Sequence, residues 1–275
     1  MKRAERINSW LLTIIMAPIT LIMLVPFYYI IVNTFKTPQE AAQSPLALPT
    51  QLYLGNYIEV FQNTQIFQSF YNTLYVTVLG VGLMILIGTM AAYPIVFNMN
   101  KLNKVIMMYL IAGFLIPFQT TLIPLFELMV DFKMIDKLNG LVFLYLIGTI
   151  FCYFLTMGFM RTIPKDLIEA ATIDGCSILG IFWRIILPLL QPIIITIAVF
   201  QTMWVWNDFL APNLFLNSPS KNTLVLEVFK AQGQYTVDWP LFMTFSVIVL
   251  IPMLIFFLTM QKHIVKGLTS GAVKG

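Results

Sequence analysis

The chain has 275 residues, 59% of them hydrophobic and only 10% charged, with a mean hydropathy of +0.85, which is the composition of an integral membrane protein and excludes an ordinary soluble domain. Sixteen basic against twelve acidic residues give a formal net charge of +4, but no stretch interleaves basic and aromatic residues as nucleic-acid binding would require. Two cysteines in unlike surroundings, Cys152 and Cys176, and a single His263 leave no means for a disulfide framework, a histidine metal cluster or a His-based triad, and no metal is expected.

Charge placement delimits the apolar runs. No charged residue lies between Arg6 and Lys36, Glu59 and Lys101, Lys104 and Glu127, Lys137 and Arg161, Arg184 and Asp208, or Asp238 and Lys262. Each interval holds the roughly 20 apolar residues that a spanning helix needs. The second is too short for two spans once its polar ends, Asn63 to Asn72 and Asn98 to Asn100, are set aside. The expectation is an all-α polytopic membrane protein with six transmembrane helices. Both termini then share a side with loops 98–104 and 161–185. Lys2, Arg3, Arg6, Lys101, Lys104, Arg161, Lys165, Arg184, Lys262, Lys266 and Lys274 fall there, against Lys36, Lys133, Lys137, Lys221 and Lys230 opposite. The positive-inside rule therefore puts both termini in the cytoplasm of a cell-membrane protein.

Taken in order, the first span, about Ile7 to Phe35, has Trp10 near its cytoplasmic end and Phe27, Tyr28 and Tyr29 near the other. It is too long for a signal-peptide core and reads as a retained anchor. The external segment that follows contains Pro38, Pro45 and Pro49, and its Tyr53, Tyr57 and Phe61 recur every fourth position, predicting one amphipathic helix. Span two, Phe70 to Phe97, carries Gly80, Gly82, Gly88, Ala91 and Ala92, small residues that let helices approach closely in lipid. Span three, about Val105 to Met129, includes IPFQTTLIP, with Pro117 and Pro124 around Gln119, Thr120 and Thr121. Such an interruption needs cover from protein or water, and helix–helix contacts or a path lining both account for it. Span four runs from Leu138 to Met160. Span five, Ile185 to Trp206, ends in WVWNDFL, where Trp204 and Trp206 read either as interface anchors or as walls of a solute path, with Asn207 and Asp208 as its hydrogen-bonding groups. Span six covers Leu241 to Met260. The expected boundaries are 1–36 for the first span and its cytoplasmic end, 37–68 for the external segment, 69–262 for the remaining spans with a cytoplasmic loop at 161–187, and 263–275 for a cytoplasmic tail.

Spans two to six hold no charge away from their ends, which weighs against an ion-coupled carrier. There is no HExxH, no GxSxG and no carboxylate pair in the membrane, and Gly271 is followed by Ala272 rather than the lysine of a phosphate loop. The chain is not expected to be an enzyme or to carry a cofactor, so an ATP-driven process would need its ATPase on another chain.

The loop at 161–187 predicts an elbow. Thr162 can cap a helix starting near Pro164, with Asp166 and Glu169 in its first turns. Gly175 supplies a turn after Asp174. Ser177 can cap a second helix with Ile178, Ile181, Phe182, Ile185 and Ile186 on one face, and Pro188 permits a bend into span five.

In spacing and type, the run Glu169-Ala170-Ala171, Asp174-Gly175, Phe182, Ile186-Leu187-Pro188-Leu189 and Pro192 resembles the EAA loop of permease subunits of binding-protein-dependent ABC importers, with Cys176 standing where alanine is common. The ending GLTSGAVKG resembles the tail of the shorter permease of maltose and multiple-sugar importers. Asn72-Thr73, Ala91-Ala92-Tyr93, IPFQTTLIPLF and WNDF are similar too, although Pro94 departs. This resemblance, over about 72–275, implies the type I ABC importer permease fold and a non-catalytic subunit. Its implied partners are a second permease, two cytosolic ABC ATPases that bind ATP and magnesium, and an extracellular sugar-binding protein delivering a sugar or oligosaccharide. It also implies that Glu169, Ala170, Ala171, Asp174 and Gly175 form the ATPase-coupling elbow, and that Gly267, Gly271, Lys274 and Gly275 sit at the ATPase interface. Gln119, Thr120, Trp204, Trp206 and Asn207 become candidates for the sugar path, although in the maltose system sugar contacts lie mainly on the longer partner. Another solute such as glycerol phosphate, and a stand-alone secondary carrier, stand as alternatives. The lack of basic residues within spans two to six favours a neutral sugar.

Overall fold

The computed structural model describes residues 2–234 and 238–272, and no strand occurs among them. The helices are α1 (Lys2–Thr34), α2 (Pro38–Gln43), α3 (Gly55–Asn63), α4 (Ile66–Phe97), α5 (Lys101–Phe114), α6 (Leu122–Asp131), α7 (Leu138–Tyr145), α8 (Thr149–Met160), α9 (Asp166–Ile173), α10 (Ile178–Ile181), α11 (Leu187–Leu189), α12 (Gln191–Trp206), α13 (Leu210–Phe215), α14 (Leu224–Gln234) and α15 (Trp239–Ala272). Four stretches are long and apolar enough to cross a membrane unbroken: Thr13–Thr34, Ile66–Phe97, Leu138–Met160 and Trp239–Lys262. Two bent pairs, Lys101–Phe114 with Phe118–Asp131 at 94° and Ile178–Leu189 with Gln191–Trp206 at 74°, bring the number to six when each is one crossing.

The chain divides into two units. One comprises residues 1–66 and 227–251. Its segment 36–63 is organised by polar caps. Lys36 is fully buried, and its ammonium donates to the carbonyls of Ser44 (2.7 Å) and Pro45 (3.4 Å). Asn56 donates to the carbonyls of Thr34 and Lys36, and Thr37 caps α2 through the Glu40 amide. The expected amphipathic helix exists as α3, but its inward face differs from the aromatic repeat. Asn56 and Val60 are buried, Tyr57 packs on Phe35 at 5.4 Å, and Phe61 is half exposed. The polar bonds of Asn56 set the rotation of this helix, and they override the aromatic periodicity.

The other unit comprises residues 67–226 and 252–275. Its core runs along one side of α4 and through α7, α8 and α12, with Met84, Ala92, Leu141, Tyr145, Cys152, Met160, Ile186 and Ile197 among its most buried residues. Gly88 is where α4 comes closest: a Cβ there would lie 2.7 Å from Cys152 Cβ and 2.9 Å from the Tyr153 nitrogen. Gly82, by contrast, faces open space. The Asn72-Thr73 pair closes one end of this unit. Asn72 donates to the carbonyls of Ser220 and Asn222, and Thr73 Oγ1 accepts the Leu224 amide at 2.8 Å. Nearby, Asp136 adopts φ 57 and accepts hydrogen bonds from the Ser218 hydroxyl and the amides of Ser218 and Asn217, and pairs with Lys221 at 2.9 Å. The helix expected to end at Met260 continues to Ala272, so Gly267 and Gly271 belong to the last turns of α15. Lys274 and Gly275 lie outside the described residues.

Candidate functional site

The elbow forms from local chemistry. α9 ends at Asp174, and Gly175 adopts φ 80, the left-handed conformation that costs glycine nothing. The Gly175 amide donates to the Thr172 carbonyl and the Cys176 amide to the Ala171 carbonyl, each at 3.0 Å. This is the paired bonding of a Schellman turn, and it occupies carbonyls that a helix end otherwise leaves unmet. Ser177 then caps α10 by accepting the Gly180 amide at 3.1 Å. Past Ile181 the helix widens into a π turn, Phe182–Ile186, before α11 and the break at Leu190. Phe182 is buried and packs on Tyr93 of α4 at 5.7 Å, which seats the elbow on the bundle.

Three details differ from the sequence expectation. Thr162 does not cap α9: its hydroxyl donates back to the Phe159 carbonyl, finishing the preceding helix, and Lys165 takes the cap position without a side-chain bond. The bend falls at Leu190, two residues after Pro188, because the Leu190 amide still bonds to the carbonyl of Ile186 whereas Pro192 at the start of α12 has no amide hydrogen to give. Ile178 is 72% exposed, since a four-residue helix followed by a widened turn does not keep it in line with Ile181, Phe182 and Ile186.

The outer surface of the elbow mixes charge and apolar area. Glu169, Ala170, Asp174 and Gly175 are exposed, whereas Ala171 is 6% exposed and packs into the core. Ala171 therefore anchors the elbow on its own bundle. Among the described residues Glu169 and Asp174 pair with no basic side chain. Around them Ile173 is 85% exposed, with Leu167, Ile178, Leu179 and Trp183 also exposed. Sequence reasoning alone does not single out these five, yet bulky apolar residues beside a glycine apex are the available signal.

The candidate path residues separate. Trp204 lines a cavity of about 380 Å³ together with Gly113, Phe118, Gly148, Phe200 and Gln201. It also meets Tyr145 edge-on at 5.4 Å. Trp206 does not share that wall: it is 6% exposed and lies edge-on against Phe70 at 6.0 Å. The one-hundred-degree step of a helix turns residues two apart onto opposite sides, which sets Trp206 apart from Trp204. Gln119 and Thr120 are exposed in the 3-10 turn Phe118–Thr121 beside the cavity but outside its lining, and the Thr120 hydroxyl is bonded to the Pro117 carbonyl. Asn207 is exposed and donates to the Met203 carbonyl at the end of α12. Asp208 serves the fold instead of the path, accepting the Tyr145 hydroxyl at 2.7 Å and the amides of Leu210 and Ala211 at the start of α13. Gln201 is the cavity residue that sequence reasoning missed. An amide in the apolar interior of span five, three positions before Trp204, was its signal.

Among the described residues no group of histidine, cysteine or carboxylate side chains is placed to hold a metal ion.

Known proteins resemble this chain along its whole length. It is 39% identical over 273 residues to the probable starch degradation products transport system permease protein AmyC of Thermoanaerobacterium thermosulfurigenes, covering 99% of each chain. It is 33% identical to the melibiose/raffinose/stachyose import permease protein MelC of Bacillus subtilis, covering 99% of this chain and 100% of that one. In three dimensions it matches a chain of a bacterial ABC transporter involved in the import of the acidic polysaccharide alginate, with a TM-score of 0.83, 21% identity, and 94% and 97% of the two chains covered. The same fold, a permease fold of ABC importers, thus holds here at low identity. Residues 84–270 match the model of one family, and with the elbow, the six crossings and these relatives in view, the chain belongs to the binding-protein-dependent transport system inner membrane components.

Proposed function

We propose that this protein is the non-catalytic permease subunit of an ATP-driven sugar importer, which forms a membrane pathway with a second permease and is driven by two cytosolic ATPase subunits. An extracellular binding protein delivers the sugar or oligosaccharide. Both termini and the elbow lie in the cytoplasm, as the distribution of basic residues supports. The observation that carries this reading is the elbow itself: a Schellman turn presenting Glu169, Ala170, Asp174 and Gly175 amid exposed Ile173, Ile178 and Leu179. That much exposed apolar area around a rigid apex marks a surface made to be gripped. Closure of the ATPase pair on ATP moves the elbow as a rigid body, and its seat on Tyr93 through Phe182 passes the motion to α4. The carboxylate of Glu169 meets a basic group of the ATPase. The tail around Gly267, Gly271, Lys274 and Gly275 lies against the ATPase pair. Relatives whose names state starch degradation products and melibiose, raffinose and stachyose support a carbohydrate cargo, and the lack of basic residues inside spans two to six sets it against a phosphate ester.

Reconstitution tests this. The chain alone gives no uptake, whereas the chain with its partner permease, ATPases and binding protein takes up labelled oligosaccharide only with ATP. Uptake by the isolated chain without ATP would sink the proposal. In the assembled system Gly175→Asp abolishes transport and ATPase copurification while the subunit still inserts. The space around Gly175 is open, so the loss reports docking and the strain of φ 80, about 1 kcal/mol, and not a collision within the bundle.

A further inference from the structure

The cavity beside Trp204 is built from three crossings: Gly113, Phe114, Ile116 and Phe118 around the 94° break, Gly148 and Phe151 from span four, and Phe200, Gln201 and Trp204 from α12. No charged side chain lines it. Its volume of about 380 Å³ is in the range of small-ligand sites.

Gln201 is 4% exposed, and its Nε2 donates to the Gly148 carbonyl at 3.0 Å and to Cys152 Sγ at 3.5 Å. Those bonds fix the amide, because a flipped amide would set oxygen against oxygen at Gly148. The carbonyl Oε1 of Gln201 is the end left over, and it accepts no bond among the described residues. The carbonyl of Ile116 likewise accepts no backbone bond, since the chain turns at the break and the Thr120 amide, four residues on, bonds to the Pro117 carbonyl instead. The main-chain hydrogen bonds of span three thus leave the carbonyl of Ile116, a residue that lines the cavity, without a donor. Gly148 lets the wall pack closely: a Cβ there would collide with Met84 Sδ and lie 3.1 Å from both Trp204 Cζ3 and Gln201 Nε2.

Aromatic faces, free acceptors at Gln201 and Ile116 and no charge together describe a ligand that is neutral, has a C–H face and carries hydroxyl donors. An acyl chain would leave the acceptors unmet. We propose that this subunit itself holds one ring of the transported sugar here, stacked on Trp204 and donating hydroxyl hydrogens to Gln201 Oε1 and to the carbonyl of Ile116. This rests on the sugar reading above and goes beyond it by placing a solute contact on this chain.

The test uses the intact transporter, with radiolabelled maltotriose and raffinose as probes and copurification of all subunits as the control for assembly. Trp204→Leu weakens equilibrium binding and raises KM roughly tenfold, the scale of one aromatic stack, while Trp204→Phe stays within about threefold of wild type. Should Trp204→Leu fail to assemble, Phe118→Leu is read instead and has to weaken binding severalfold. Wild-type affinity in these variants overturns the inference and leaves the importer reading standing. So does a phospholipid retained by the wild type and lost from Trp204→Leu with sugar binding unchanged, or a cross-link from Trp204→Cys to the partner permease that forms equally with sugar bound. Neither probe binding to nor crossing with the wild-type complex would count against both the sugar reading and this site.

Discussion

At the scale of single residues, Asp136 shows how much one carboxylate can organise. The Ser218 hydroxyl and amide, with help from Lys221 and the Asn217 amide, hold its carboxyl well below the ordinary carboxylate range. A lowered pKa means that the folded state binds this proton less readily than the unfolded chain does. The stabilisation is therefore complete above the unfolded value of about 4 and is lost as pH falls through the folded one. Asn tolerates the left-handed backbone of residue 136 as well as Asp does, so Asp136→Asn isolates the charge. The variant should melt below wild type in detergent at neutral pH, and the gap should shrink progressively below about pH 4. A gap that persists unchanged to pH 3 would rule out the ionised carboxylate as its source.

At the scale of elements, the crossing of α4 with α8 rests on the missing side chain of Gly88. Any Cβ there meets the Cys152 Cβ and the backbone of Tyr153, and backbone cannot step aside. Gly88→Leu is expected to cost about 1–3 kcal/mol or more of stability and to lower the yield of inserted, monodisperse protein, while Gly82→Leu, facing open space, leaves the isolated subunit intact. Equal behaviour of the two in a thermal-shift assay would refute the close crossing. The same contrast measures what the sequence made legible. Gly175 and Ser177 act through neighbours within five residues, so their roles could be read directly. Gly82 and Gly88 look alike in sequence, and only the packing of a helix some sixty residues away tells them apart. Ala171 against Ala170, and Trp206 against Trp204, were hidden for the same reason: type and period were visible, but the rotation of each helix is decided by nonlocal contacts. The 94° break was half legible, since Pro117 announced an interruption without its angle or the cavity beside it.

For the whole molecule, the six crossings require the elbow and the Asn72–Ser220 region on opposite sides of the membrane. Cys176 is partly exposed and Cys152 buried, so the pair makes a natural probe. A membrane-impermeant maleimide should label Cys176 in inside-out vesicles and leave it untouched in intact cells, with Cys152 unreactive in both. Labelling of Cys176 from outside would invert the topology and remove the elbow from any cytosolic motor.

The clamp at Asn72 and Thr73 has a further consequence, which concerns the making of the protein. Its partners, Ser220, Asn222 and Leu224, leave the ribosome about 150 residues later. Until then the buried amide of Asn72 lacks the carbonyls that it bonds in the finished fold, and an unmet polar group at such a place is costly. Span two is therefore inserted early but fastened late, after spans three to five are in the bilayer. A ribosome-stalled chain ending before Ser220 should hold its second helix loosely, and one ending well past Leu224 should hold it fast.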